Sequence, residues 1–244
     1  MSKPFLIQPV TYHDVTTLAN IMVEAMSNDR HTQLKTLGDV SYTRAAGNIE
    51  DLLSGIKHPK TVYVKAVHGE TGDILGCISL WYVGFQEQDV PHTDPAEGWE
   101  GSLEDLEEQG RAGGEKRNVD ERAKKLIDDL DAWEGADMKR WQDVLMPEGS
   151  KCIIITRLQV ALAAQGKGVG TALVKWSTDE ADKHGVYMWV HSSEAYRVYE
   201  KSGFDTVGTL DVDMDAYAPA PPPEGGKWGH YLIRYMKRPA VPSQ

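Results

Sequence analysis

Gly166, Gly168 and Gly170 alternate with Lys167 and Val169 in the stretch Gln165-Gly166-Lys167-Gly168-Val169-Gly170. Glycine accepts positive φ and lets the backbone approach a ligand closely. The apolar, β-rich run Cys152 to Val160 leads into this turn, and the helical run Thr171 to Lys183 leads out of it. A glycine-rich turn feeding a helix N-terminus presents unpaired N–H groups and the positive end of the helix dipole. That chemistry suits a phosphate or pyrophosphate. No Gly-Lys-Ser/Thr follows at the offset of a nucleotide P-loop, and the glycine spacing is not that of the dinucleotide fingerprint. A strand-to-helix turn tightened by glycine for packing alone is the competing reading.

The same stretch resembles the Gln/Arg-x-x-Gly-x-Gly/Ala signature of the GCN5-related N-acetyltransferases, the GNAT superfamily. In that family the turn cradles the pyrophosphate of acetyl-coenzyme A (acetyl-CoA). Leu158-Gln159-Val160 is similar to the strand that pairs with the pantetheine arm. The chain departs from the pattern at Leu162, where many members carry proline, and at Ala163-Ala164, where a polar pair is usual. A second stretch, Ser192-Ser193-Glu194-Ala195-Tyr196-Arg197-Val198-Tyr199-Glu200-Lys201-Ser202-Gly203-Phe204, resembles the family's second coenzyme-contacting helix, which ends Tyr-Glu-Lys-x-Gly-Phe. Ser192 stands where many members have asparagine. The two signatures occur in the family's order, one helix and one strand apart. The resemblance spans nearly the whole chain outside a long middle insertion, whose length and style are similar to those of fungal, small-molecule-type members.

The resemblance implies transfer of an acetyl group from acetyl-CoA to an amine by direct attack in a ternary complex. It assigns coenzyme contacts to Leu158, Gln159, Val160, Gln165, Gly166, Lys167, Gly168, Val169, Gly170, Thr171, Ser192 and Tyr199. It places the Val160 backbone N–H on the thioester oxygen and Tyr199 as the acid for the leaving thiolate. The attacking amine, with an ordinary pKa near ~10.4, must lose a proton. His191 is the candidate base, with Asp29, His31 and Glu24 as weaker ones and a water relay as the alternative. Asp29, Trp81, Trp133 and Trp141 are candidate acceptor contacts, although aromatic residues on strands and helices also serve as core. Ser192 either touches the coenzyme or caps the helix expected at 193. Three functions stay open: a small-molecule N-acetyltransferase, a protein lysine or N-terminal acetyltransferase, and an acyl-CoA-binding module without transfer activity.

These residues need elements to hold them. Phe5 to Val10, Thr61 to Val67 and Ile74 to Val83 read as strands, the last two as a hairpin. A helix is expected from Asp14 or Thr16 to Met26, and another over Ala45–Ile56, ending before Pro59. Ser27 to Thr43 is polar and poorly periodic. Residues 87–117 read as loop. Asn118 with Glu121 forms a capping-box pattern, followed by apolar residues from Ala123 to Leu145 at helical spacing, with a break expected at Gly135. That helix is either a lid over the acceptor pocket or a packed helix with a solvated acidic face. Val186–Val190, Phe204–Leu210 and His230–Met236 complete the strands, and a proline-rich loop is expected over 211–226. The expected architecture is one α/β (α+β) domain over 1–244, with a mixed, mostly antiparallel sheet flanked by helices. An acidic, partly helical insertion at 86–150 precedes the coenzyme-binding strand.

Net charge is −11, and residues 86–150, with 19 Asp/Glu against 8 Lys/Arg, carry all of the excess. This argues against a nucleic-acid partner and for steering of cationic molecules. Cys77 and Cys152 lie in apolar runs and read as buried thiols, and no zinc-binding pattern occurs. No signal-peptide run or membrane span is evident, so a cytoplasmic protein is expected. Monomer and homodimer both fit.

Overall fold

The computed structural model describes residues 5–112 and 119–241. Seven strands form one sheet: β1 (Phe5–Pro9), β2 (Thr61–His68), β3 (Ile74–Val83), β4 (Cys152–Val160), β5 (Tyr187–Ser192), β6 (Asp205–Asp213) and β7 (His230–Arg238). Their order is β1-β2-β3-β4-β5-β7-β6. Among the described residues, only β4 and β5 pair in parallel. A parallel neighbour requires a long crossover, here supplied by helix α6 (Val169–Lys183).

Alternation along the central strands sends side chains to two cores. On one face Ile153, Ile155, Met188 and Val190 meet Leu173, Val174 and Ala181 of α6. On the other, α1 (Val15–Met26) and α3 (Ala45–Lys57) pack through Leu18, Met22, Ile49 and Leu52. Farther along the sheet, α5 (Glu121–Leu145) covers the second face, with Leu145 and Trp141 against Trp189 and Tyr235. Cys77 and Cys152 are buried and unpaired.

Several elements differ from the sequence-based expectation. Leu103–Ala112 is a helix, α4, where loop was expected. It has little apolar surface, and it holds through Leu106 buried against the α1–α3 core, Gly110 beside Glu50, and the Lys57–Glu107 pair. Arg30–Thr36 forms another helix, α2, inside the segment expected to be irregular. The Asp29 carboxylate caps it by accepting from Thr32 N–H, and Leu34 is fully buried against Ile127 and Leu130. Helix α5 runs unbroken through Gly135, because Ile127, Leu130 and Leu145 anchor it on both sides. The Asn118 capping position lies outside the described residues, and Asp120 caps α5 by accepting from Ala123 N–H. Asp14 does not cap α1 with its side chain and instead pairs with Lys65. Strand β6 extends to Asp213, so the proline-rich loop starts later than expected.

Candidate active site

Strand β4 is bent away from its neighbour. Opposite β3, Ser79 faces Arg157 and Leu80 faces Ile155, leaving Thr156 as an extra residue. Such a bulge bends its strand and raises the local twist. The β4–β5 pairing ends at the same point, with Ile155 opposite Val190. Beyond it the two strands diverge and leave a wedge between Arg157–Val160 and His191–Ser192. The Ala161 N–H bonds Leu75 on β3. Successive backbone groups alternate along a strand, so the Val160 N–H points away from β3, into the wedge. The Val160 carbonyl points the same way and accepts from the Gln165 side-chain amide at 3.1 Å. Gln165 thereby ties the turn to the strand.

At the mouth of the wedge, Gly166 and Gly168 have φ of 72° and 85°. These left-handed values favour glycine. A Cβ at either position would have no heavy atom within 4 Å, so the turn presents bare backbone to open space. Gly168 is the N-cap of α6 and provides no side-chain cap. Among the described residues, no N–H from Gly166 to Thr171 donates to a backbone acceptor. The result is a run of unsatisfied donors at the positive end of a 15-residue helix, with room for the pyrophosphate of a coenzyme.

A cavity of about 1330 Å³ runs from this turn through the wedge and onward to α2 and α5. Leu158, Gln159, Val160, Gln165, Gly166, Gly168, Val169, Gly170, Thr171, Ser192 and Tyr199 all line it. Lys167 is exposed and does not. Ser192 is the last residue of β5 and caps no helix; α7 (Tyr196–Glu200) starts later, behind Ala195. Gly203, at φ 85°, turns the chain sharply after α7, and Phe204 N–H bonds the Tyr199 carbonyl. Phe204 therefore folds back edge-on to the Tyr199 ring at 5.6 Å. Burial pushes the Tyr199 pKa well above that of an ordinary phenol, so the group stays protonated as a donor. His191 is reached by solvent from the cavity but lies deep in the protein mass. That surrounding protein lowers its pKa, with Glu134 opposing, and the imidazole is neutral near pH 7.

The far end of the cavity is acidic. Asp29, Asp131 and Glu134 line it with His31, Lys35 and Tyr42. Lys35, almost fully buried, donates to Asp131 and to Glu134 (2.7 Å). His31 meets the other Glu134 oxygen at 2.6 Å. Burial works to raise the Glu134 pKa, but His31 and Lys35 outweigh it and hold the carboxyl below the usual range. Tyr42 is pushed above the ordinary phenol range by burial and then by Asp131, Glu134 and Asp29.

Residues 123–206 match the acetyltransferase (GNAT) domain family. That span holds β4, the glycine turn, α6, β5 and α7. GNAT enzymes use acetyl-CoA as co-substrate, and the glycine cradle fits its pyrophosphate. No curated protein matches the sequence. Among solved structures, the chain is similar to arylalkylamine N-acetyltransferase 2 from Aedes aegypti, at 15% identity and TM-score 0.58, covering 97% of this chain and 99% of that one. It is similar to a Drosophila melanogaster polyamine N-acetyltransferase that catalyses formation of N-acetylagmatine, at 16% identity and TM-score 0.54, covering 96% and 99%. A third is a Sinorhizobium meliloti phosphinothricin acetyltransferase in complex with acetyl-CoA, at 14% identity and TM-score 0.53, covering 99% and 91%. These likenesses are of fold.

The three tryptophans expected at the acceptor do not line the cavity. Trp81 packs into the core beneath α5. Trp133 stacks on Tyr217 at 6.1 Å. Trp141 lies flat on Tyr235 and against Gly208, so closely that a Cβ there would stand 1.8 Å from the indole. Helix α5 instead faces the cavity with Asp131, Glu134, Gly135 and Met138. Asp29 and His31 line the cavity, whereas Glu24 is exposed and does not. Sequence reasoning missed Lys35, Tyr42, Ser193 and Tyr231. Tyr231 had a signal, since its place in the closing strand was expected, but nothing in the pattern tied that strand to Asp29.

Proposed function

We propose that this GNAT acetyltransferase N-acetylates a small, positively charged primary amine by direct attack in a ternary complex. We read residues 86–150 as an insertion in one transferase domain that supplies a wall of the acceptor site. The observation carrying the proposal is the continuity of one cavity from the coenzyme cradle to a pocket walled by Asp29, Asp131 and Glu134.

The acceptor arrives as an ammonium and must lose a proton before its nitrogen lone pair can attack. His191, held neutral, accepts it. The C–N bond then forms and the C–S bond breaks. The Val160 N–H stabilises the negative charge that develops on the carbonyl oxygen. Tyr199 gives its proton to the departing thiolate, and the second proton lost by the nitrogen restores the phenol by way of solvent; the proton taken by His191 passes to solvent, so one net proton is released per turnover. Holding both reactants in one cavity supplies much of the rate.

Incubation with acetyl-CoA and a panel of amines, followed by thiol release, tests the reading. Turnover of cationic small amines, without turnover of lysine-containing peptides, is expected. Preference for the peptides would support a protein acceptor. Saturable coenzyme binding without turnover of any acceptor would support a binding module.

A further inference from the structure

The cations near the acidic end of the cavity are already engaged. Arg30 bonds the Lys227 carbonyl and faces Glu224, His31 bonds Glu134, and Lys35 bonds Asp131 and Glu134. Asp29 differs from Asp131 and Glu134, which pair with Lys35, and from Glu194, which also lines the cavity but is exposed to solvent. The Asp29 Oδ1 accepts from the Thr32 N–H at 2.7 Å and its Oδ2 accepts from the Tyr231 hydroxyl at 2.7 Å. Both donors are neutral. Among the described residues no cation pairs with it, although it is half-buried and lines the cavity. A carboxylate has about four acceptor positions, and two are filled. An anion withdrawn from water without a counter-ion is costly.

The donors that hold Asp29 are themselves held. Tyr231 is 9% exposed, and the His31 ring stacks on it at 4.7 Å and 14°. Tyr231 gives its proton to Asp29, so in its contact with Ser193 the serine hydroxyl donates and the phenol oxygen accepts. Burial, and then the Asp29 charge, raise the Tyr231 pKa, which keeps that proton in place. Ser193 directly follows the last residue of β5, the strand whose divergence opens the wedge. The chain Ser193–Tyr231–Asp29 therefore fixes the carboxylate relative to the coenzyme side of the cavity.

We propose that Asp29 is the cation anchor of the acceptor site, and that Tyr231 and Ser193 are positioning residues that aim it. The missing counter-ion is the ammonium or guanidinium of the acceptor. The proposal rests on the acetyl-transfer reading and adds to it the residue that selects charge.

Agmatine and a neutral aryl hydrazide serve as acceptors, with acetyl-CoA binding measured separately by calorimetry. Asparagine also caps helices well, so Asp29→Asn keeps α2 while removing the charge. This variant should raise the KM for agmatine by roughly 10- to 100-fold, the range of a charge-assisted hydrogen bond. The KM for the hydrazide and the Kd for acetyl-CoA should stay within about twofold, which a general loss of structure would not allow. Tyr231→Phe should raise the agmatine KM by a smaller factor. An unchanged agmatine KM in Asp29→Asn, or an equal loss for the hydrazide, overturns the anchor and leaves acetyl transfer standing. A wild type that binds acetyl-CoA and acetylates neither probe overturns the anchor together with the small-cation reading.

Discussion

Tyr199 and His191 make opposite demands on their surroundings, and the surrounding protein meets both, although only Tyr199 is itself buried. That surrounding protein keeps the Tyr199 phenol protonated and the His191 imidazole neutral. Tyr199→Phe should lower kcat by about 10²-fold, at the low end for general acid catalysis, while the calorimetric Kd for acetyl-CoA barely moves. For His191 the neutral form is active, so activity is complete above its pKa and lost as pH falls through it. Because that pKa is lowered, the acid limb of kcat/KM should lie below the ordinary imidazole value of about 6.5, and His191→Gln should abolish it. Of these residues, Tyr199 was legible because Tyr-Glu-Lys-x-Gly-Phe encodes a local event, the glycine turn that folds Phe204 back. Ser193, Tyr231 and Lys35 were not, because their partners lie 38, 202 and 96 or more residues away. The tryptophans misled because a large aromatic side chain fits a core or a surface stack as well as a pocket.

The cradle and the α2–α5 clasp carry the site. Gly168→Ala would place a methyl in the open space of the cradle at φ 85°. A left-handed non-glycine residue costs about 1–2 kcal/mol, so the fold should persist while acetyl-CoA affinity falls, as calorimetry would register. The clasp joins α2 to α5 through Lys35, Asp131 and Glu134, alongside Ile127 packed tightly against Gly38. Lys35→Met would leave Asp131 without its cation and Glu134 with His31 alone. Breaking such a pair costs about 3 kcal/mol, discounted here because Asp131 is partly exposed, and should lower Tm by roughly 6–12 °C in a thermal melt. The sheet was legible because alternation and β-branched runs mark its strands. Helices α2 and α4 were not, since each buries only one or two apolar residues and owes its place to α5 and α3.

Across the whole molecule, the acidic excess of residues 86–150 divides into two uses. Toward solvent, Asp128, Asp129 and Asp143 pair with Lys124, Lys125 and Lys139 one turn away, which is an ordinary helix surface. Toward the cavity, Asp131 and Glu134 join Asp29. No helix among the described residues is long and apolar enough to cross a membrane. A negative field around the acceptor end predicts that the KM for a cationic amine rises with ionic strength while that for a neutral nucleophile does not. The charge bias was legible as a sum over the sequence. Its division was not, because it depends on which side of α5 each carboxylate occupies once Ile127 and Leu130 are buried.

All of this rests on the glycine turn holding the coenzyme. The direct measurement is a calorimetric titration of the folded protein with acetyl-CoA, with ATP as the control. Saturable binding of acetyl-CoA at one site per chain is expected, with no comparable binding of ATP and weakened binding in Gly168→Ala. Folded protein that takes up no acetyl-CoA, or binds ATP equally well, would contradict the coenzyme site and return the glycines to a role in packing alone.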